Sequence, residues 1–185
     1  MLAGRHRPHQ GPPELNLDGL NSLALHGFVE RLGAVFEHSP WVAERAWEKR
    51  PFGSVGDLHT AMLEAVLQAK PEEKLALVRA HPELAGAEAK QGTLTADSSS
   101  EQARLGFTAL SREELFRMAD LNRNYREKFG FPCIVALRLH PSRDSVMEEM
   151  QRRLGNNGET ELKNALQQIG HIARGRLEKL IAWGS

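Results

Sequence analysis

The residues best suited to chemistry lie between His81 and Gln102, in the stretch HPELAGAEAKQGTLTADSSSEQ. His81 opens it and Glu101 closes it, and an imidazole and a carboxylate held at two helix ends make an acid/base pair. Pro82 biases His81 away from helical backbone angles, which puts the ring at a helix terminus. Ser98, Ser99 and Ser100 offer N-cap oxygens, so Glu101 and Gln102 are expected in the first turn of the next helix. The passage between is polar and contains glycine, and loops of that kind carry function when rigid elements hold their ends. Each residue also has a plainer use. His81 can simply cap a helix, Glu101 can answer a helix dipole, and the serines can be caps alone. Lys90 is expected to be solvated, because one lysine without a glycine-rich phosphate loop does not indicate pyridoxal phosphate.

The elements that must position these residues read as helices. Leu25, Phe28, Val29, Leu32, Val35 and Phe36 repeat at helical spacing over residues 23–36, with Asn21 or Ser22 as cap. Glu37 to Trp41 turns the chain, and a short helix follows to Arg50, where Pro51 stops it. Ser54 and Asp57 open a third helix that runs to about Ala69. Pro71 starts a fourth that ends at Ala80 and delivers His81. Trp41, Trp47 and Met62 are read as core packing.

After the central loop, Ser111 and Glu114 form a capping box, and Gly130 is the expected C′ residue of a long helix. Phe131 to Leu137 is continuously apolar and partly β-branched. A lone strand has no partner elsewhere in the chain, so an extended segment packed among helices is expected, with backbone amides facing the site. Ser142 to Leu154 and Glu159 to Ala182 complete the helices. The fold class is therefore all-α, a single irregular multi-helix domain with one extended apolar segment near residues 131–137. The expected division is a loose tail over residues 1–18 and a helical domain over residues 19–185.

The chain has 185 residues, enough for one ordinary domain. Its 24 Lys and Arg balance 24 Asp and Glu, which excludes a global field drawing it onto nucleic acid or an anionic membrane. No apolar run is long enough for a bilayer span. The N-terminal residues lack the apolar core of a secretory signal, and the final Trp183, Gly184 and Ser185 are not a peroxisomal address. The single cysteine, Cys133, excludes an internal disulfide framework and fits a reducing, cytoplasmic location.

Two further features bear on the site. His81-Pro82-Glu83 with Pro132-Cys133 resembles the zinc deaminase signature, but Ala136 stands where its second cysteine is needed, so no metal is expected. In the last helix, Ile172, Arg176 and Leu180 fall on one side, and Arg176 lies inside the apolar stripe while Arg174 falls near its edge. A buried arginine needs a partner. A substrate carboxylate or carbonyl, Glu101, or a structural salt bridge to another helix all meet that need.

HPELAG, LTADSSSEQ and LNRNYREKFGFP, with EHSPWVAERAW and RPF near the front, together resemble the OHCU decarboxylase family, from about Leu23 to Trp183. That family acts on 2-oxo-4-hydroxy-4-carboxy-5-ureidoimidazoline late in urate breakdown. The resemblance implies a homodimeric carboxy-lyase that yields (S)-allantoin and CO2 without cofactor or metal, the ring carbonyl accepting the charge that decarboxylation leaves. It implies His81 as general acid/base and Glu101 as its hydrogen-bonding or orienting partner. Pro82, Ser98, Gln102 and backbone amides near Ile134 would contact the substrate, and Arg176 would be the binding arginine of the final helix. That helix carries Gly175 where the family's Leu-Arg-Leu pattern begins with leucine, and Cys133 replaces the usual aromatic residue after FGFP. The alternative is a non-enzymatic helical interaction module in which His81 only caps.

Overall fold

The computed structural model describes residues 15–181. The described chain forms α1 (Leu17–Asn21), α2 (Leu25–Leu32), α3 (Trp41–Trp47), α4 (Val55–Leu67) and α5 (Pro71–Arg79). It continues through α6 (Ala87–Gln91), α7 (Ala96–Arg104), α8 (Arg112–Phe129), a 3-10 turn (Leu137–Leu139), α9 (Arg143–Arg153) and α10 (Gly158–Leu180). No strand occurs among the described residues, so the all-α expectation holds. No described helix is long and apolar enough to cross a membrane.

Local chemistry sets most of the boundaries. The Glu114 backbone N–H donates to Ser111 Oγ at 3.2 Å and the Ser111 N–H donates to Glu114 Oε2 at 2.7 Å, the reciprocal pair that starts α8. Gly130 ends it at φ +75°, a left-handed position that glycine occupies without penalty. Ser54, Ser142 and Asn157 each accept from the third residue of their helices. Pro71 occupies the first turn of α5 as read from the sequence.

The front of the chain departs from the sequence reading. The expected helix over residues 23–36 is only α2, which stops at Leu32; Val35 and Phe36 are buried beyond it in irregular chain. Of the expected tail, residues 1–14 lie outside the described chain. Residues 16–18 cap and begin α1, where Asn16 Oδ1 accepts from Gly19 N at 2.7 Å and Leu20 is fully buried. Trp183 also lies outside the described residues.

The centre of the molecule is α10, which packs on α4, α5 and α8 and on the 3-10 turn. Residues 131–136 run buried and without helix or strand between α8 and that turn, close to the extended segment expected near 131–137, and Leu137 begins the turn. Such a segment has no helix to satisfy its backbone, so side chains do it. Arg153 Nη1 donates to the Ile134 carbonyl at 2.7 Å, and Gln168 Oε1 accepts from Ala136 N at 2.8 Å. These bonds fix the wall that faces His81.

Candidate active site

His81 follows the end of α5 and is only 6% exposed. Its Nδ1 lies 3.1 Å from the Leu77 carbonyl. A carbonyl can only accept, so Nδ1 carries the proton and neutral imidazole leaves a lone pair on Nε2. Burial pushes the His81 pKa down to about 4, helped by the Arg176 charge, while the Leu77 carbonyl and Glu37 oppose the fall. The ring is therefore neutral at physiological pH. It lines a pocket of ≈ 360 Å³.

The opposite wall is α7, and here the sequence reading needs correcting. Thr95 is the N-cap, its Oγ1 accepting from Ser98 N at 3.3 Å, so Ser98 to Ser100 are helical residues and Glu101 lies in the second turn. Thr95 and the serines are equally good caps by residue type, which is why type alone chose wrongly. The earlier start has a useful consequence. Ser98, Glu101 and Gln102 stand at i, i+3 and i+4, which places all three on one face of the helix.

Glu101 is not hydrogen-bonded to His81. Both its oxygens accept from Arg176, Oε1 from Nε at 2.9 Å and Oε2 from Nη2 at 3.0 Å. Arg176 Nη1 donates to Glu37 Oε2 at 2.8 Å and to the Val35 carbonyl at 3.4 Å, and Nη2 also reaches Ser98 Oγ at 3.2 Å. All five N–H bonds of the guanidinium are thus engaged by the protein. Burial opposes the Arg176 charge, but the hydrogen bonds and charges of Glu101 and then Glu37 outweigh it and raise its pKa. Burial likewise opposes ionisation of Glu37, and Arg176 outweighs it, so Glu37 stays a carboxylate. Ser98 Oγ and Thr95 Oγ1 both donate to Glu37.

Gln102 plays a different part. Its Oε1 accepts from the buried Ala85 N–H at 2.9 Å, and Ala85 sits at φ +49° in the turn after His81. That bond fixes the amide so that its NH₂, which has no partner among the described residues, belongs to the pocket side. Nor does any described residue accept from the backbone N–H of Ile134 or Val135. Amides without partners beside a pocket are donors available to a ligand.

All seven residues singled out in the sequence, His81, Pro82, Ser98, Glu101, Gln102, Ile134 and Arg176, line the same pocket, with Leu84, Cys133, Val135, Leu137 and Ile172. Arg174 does not; it makes a half-buried pair with Glu178 one turn on in α10. The Cys133 thiol is buried in the wall and burial pushes its pKa up to about 12. Among the described residues no cluster of His, Cys, Asp or Glu is grouped as a metal site. The residue that sequence reading missed is Glu37, 1% exposed and central to the Arg176 cluster. Its one signal was a charge directly after the apolar pair Val35 and Phe36, which looked like the start of a turn.

A sequence profile described as OHCU decarboxylase matches residues 21–178. The chain belongs to the OHCU decarboxylase family. It is 41% identical over 164 residues to the 2-oxo-4-hydroxy-4-carboxy-5-ureidoimidazoline decarboxylase of Haloferax volcanii, covering 89% of this chain and 95% of that protein. The protein of the same name from Mus musculus is 38% identical over 88% of this chain and 90% of its own length. A crystal structure of (S)-allantoin synthase superposes with a TM-score of 0.73 at 28% identity. The match covers 90% of this chain but only 54% of that one, so this chain spans about half its length. The family match thus includes every residue that lines the pocket, from His81 to Arg176.

Proposed function

We propose that this protein decarboxylates 2-oxo-4-hydroxy-4-carboxy-5-ureidoimidazoline to (S)-allantoin and CO2, without a cofactor, in urate degradation. The observation that carries this reading is a neutral His81 whose free Nε2 belongs to the pocket that holds the Glu101 carboxylate and the Gln102 amide. In the substrate, C4 bears both hydroxyl and carboxylate and is saturated, and C2 is a carbonyl, so the remaining ring double bond joins C5 to nitrogen. Departure of CO2 leaves its electron pair to form C4=C5, and the C=N pair moves onto nitrogen, which takes the one proton the net reaction consumes from solvent water. The ring itself is the electron sink. The enol then collapses: its hydroxyl proton leaves, C4 becomes a carbonyl, and C5 gains a proton on one face.

His81 Nε2 is the base that takes the hydroxyl proton, and the imidazolium so formed is the acid that returns one to C5. The Glu37 charge favours that transient cation. Gln102 NH₂ and the amides of Ile134 and Val135 donate to oxygens of the ring and ureido group, where negative charge grows during the reaction. Glu101 is held by Arg176 rather than by His81 and presents its carboxylate, 23% exposed, to the ureido N–H groups. Ser98 and Arg176 brace Glu101 and Glu37, and Pro82 shapes the floor beside His81.

The test generates the unstable substrate from urate in place and follows optically active allantoin by circular dichroism. Acceleration over spontaneous decay is expected, with His81→Ala losing on the order of 10²- to 10⁴-fold in rate while the helical spectrum persists. An interaction module would leave the spontaneous racemic course unchanged. We extend the proposal to a homodimer in the cytoplasm, acting through one catalytic domain. Light scattering at micromolar concentration tests the oligomeric state.

A further inference from the structure

The substrate in this reading is an anion, yet the catalytic pocket is no place to attract one. His81 is neutral, and Glu37 and Glu101 set two carboxylates against the single Arg176. Arg176 has no N–H left to offer. A cation for the substrate's carboxylate must therefore come from elsewhere.

A second pocket, of ≈ 620 Å³, adjoins the first and shares Glu101, Leu137 and Ile172 with it. Three cations line it: Arg104 from α7, Arg138 from the 3-10 turn and Lys179 from α10. None has a carboxylate partner among the described residues. Two are anchored on backbone carbonyls instead, Arg104 Nη2 on Leu137 and Arg138 Nε on His171, the latter at 2.9 Å. Such anchors hold a guanidinium in place without neutralising it.

Gly175 supplies an independent observation. It lies inside α10, where glycine weakens a helix relative to alanine. A Cβ built there would stand 2.9 Å from Arg138 Cδ and 3.3 Å from its Nε. The missing side chain is what lets Arg138 lie across α10 beside the pocket mouth. We propose that Arg104, Arg138 and Lys179 form a cationic vestibule that captures the substrate's carboxylate and that Gly175 exists to seat Arg138 in it. The product has lost the carboxylate and is neutral, so the same cations favour entry of substrate over retention of product.

This inference rests on the decarboxylase reading, and initial rates at varied substrate and ionic strength separate the two. Arg138→Gln should raise KM about tenfold, as expected for an interaction shared by ground and transition states, with kcat far less affected. Arg104→Gln, Arg138→Gln and Lys179→Gln together should raise it further and flatten the fall of kcat/KM with salt that steering by charge imposes. Gly175→Ala should raise KM as well while raising the melting temperature, a combination that no loss of folding produces. In the Arg138→Gln background, Gly175→Ala should add nothing to KM. A triple variant with wild-type KM and wild-type salt response overturns the vestibule while leaving the activity intact. Failure of the wild-type protein to accelerate formation of optically active allantoin overturns both.

Discussion

Two buried arginines show how one pairing chemistry can serve two ends. Arg153 meets Glu161 at 2.9 Å with the two side chains 2% and 0% exposed, and Tyr125, Asn156 and Asn164 complete the hydrogen bonding of that carboxylate. The charges match one for one, and nothing opens onto a cavity among the residues that line the catalytic pocket. Arg176 is as deeply buried but faces two carboxylates, and one of them, Glu101, is 23% exposed at the pocket. The sealed cluster holds the wall at Ile134; the open one presents a charge. An ion pair's burial does not by itself reveal function, but an unbalanced pair with one partner left accessible does.

The sharpest way to break this comparison is to remove a carboxylate from each cluster. Glu161→Ala should cost about 3–5 kcal/mol of stability in denaturant unfolding, because it leaves Arg153 buried and unpaired. Glu101→Gln keeps one of the two hydrogen bonds from Arg176 and turns an NH₂ toward the other donor, while Glu37 keeps the charge paired. It should lower kcat on the order of 100-fold and stability by about 1–3 kcal/mol, less than the loss of Glu161. If Glu101→Gln unfolds the protein and leaves kcat alone, the two clusters are the same kind of object.

Arginine chemistry gives a second contrast. Arg176→Lys keeps one charge but cannot reproduce five directed donors, so most of the activity should go. Arg174→Lys alters a half-buried pair with Glu178 away from the pocket and should stay within about 0.5 kcal/mol of wild type in stability, with activity intact. Reversal of the pair of results would shift the functional face of α10 by two residues.

Acid should act on the open site through His81. Its folded pKa, about 4, lies below the ordinary value of 6.5. The unfolded chain therefore binds the proton first, and stability from the neutral ring is complete above about 6.5 and lost as pH falls toward about 4. The acid limb of kcat/KM should likewise lie below an ordinary histidine's; a limb at or above 6.5 would show that the ring is not buried neutral. Near the pocket wall, Cys133→Phe should cost about 1–3 kcal/mol, since the position is 2% exposed and a larger side chain in a packed wall makes its neighbours shift. Far from the site, at α1, Asn16→Ala should cost about 1 kcal/mol through the lost cap, read as a shift in unfolding midpoint.

What the sequence determined by itself was what short-range geometry controls. Caps at Ser54 and Ser111 and the left-handed stop at Gly130 act within four residues, and the helical stripes follow from a fixed angle per residue. The same angle placed Arg176 on the inner side of α10 and Arg174 off it, and the ordered motifs around His81 and Glu101 identified the family. Where local options were equivalent, as between Thr95 and the serines, the reading slipped, and with it the face that Ser98, Glu101 and Gln102 share. Tertiary structure alone decided who stands opposite whom. Glu37 meets Arg176 across 139 positions, Glu101 turns to that arginine instead of His81, and Gly175 admits Arg138 from another element. Periodicity says which way a side chain points from its own helix, but its partner is chosen by the packing of distant elements, and that packing depends on the whole core at once.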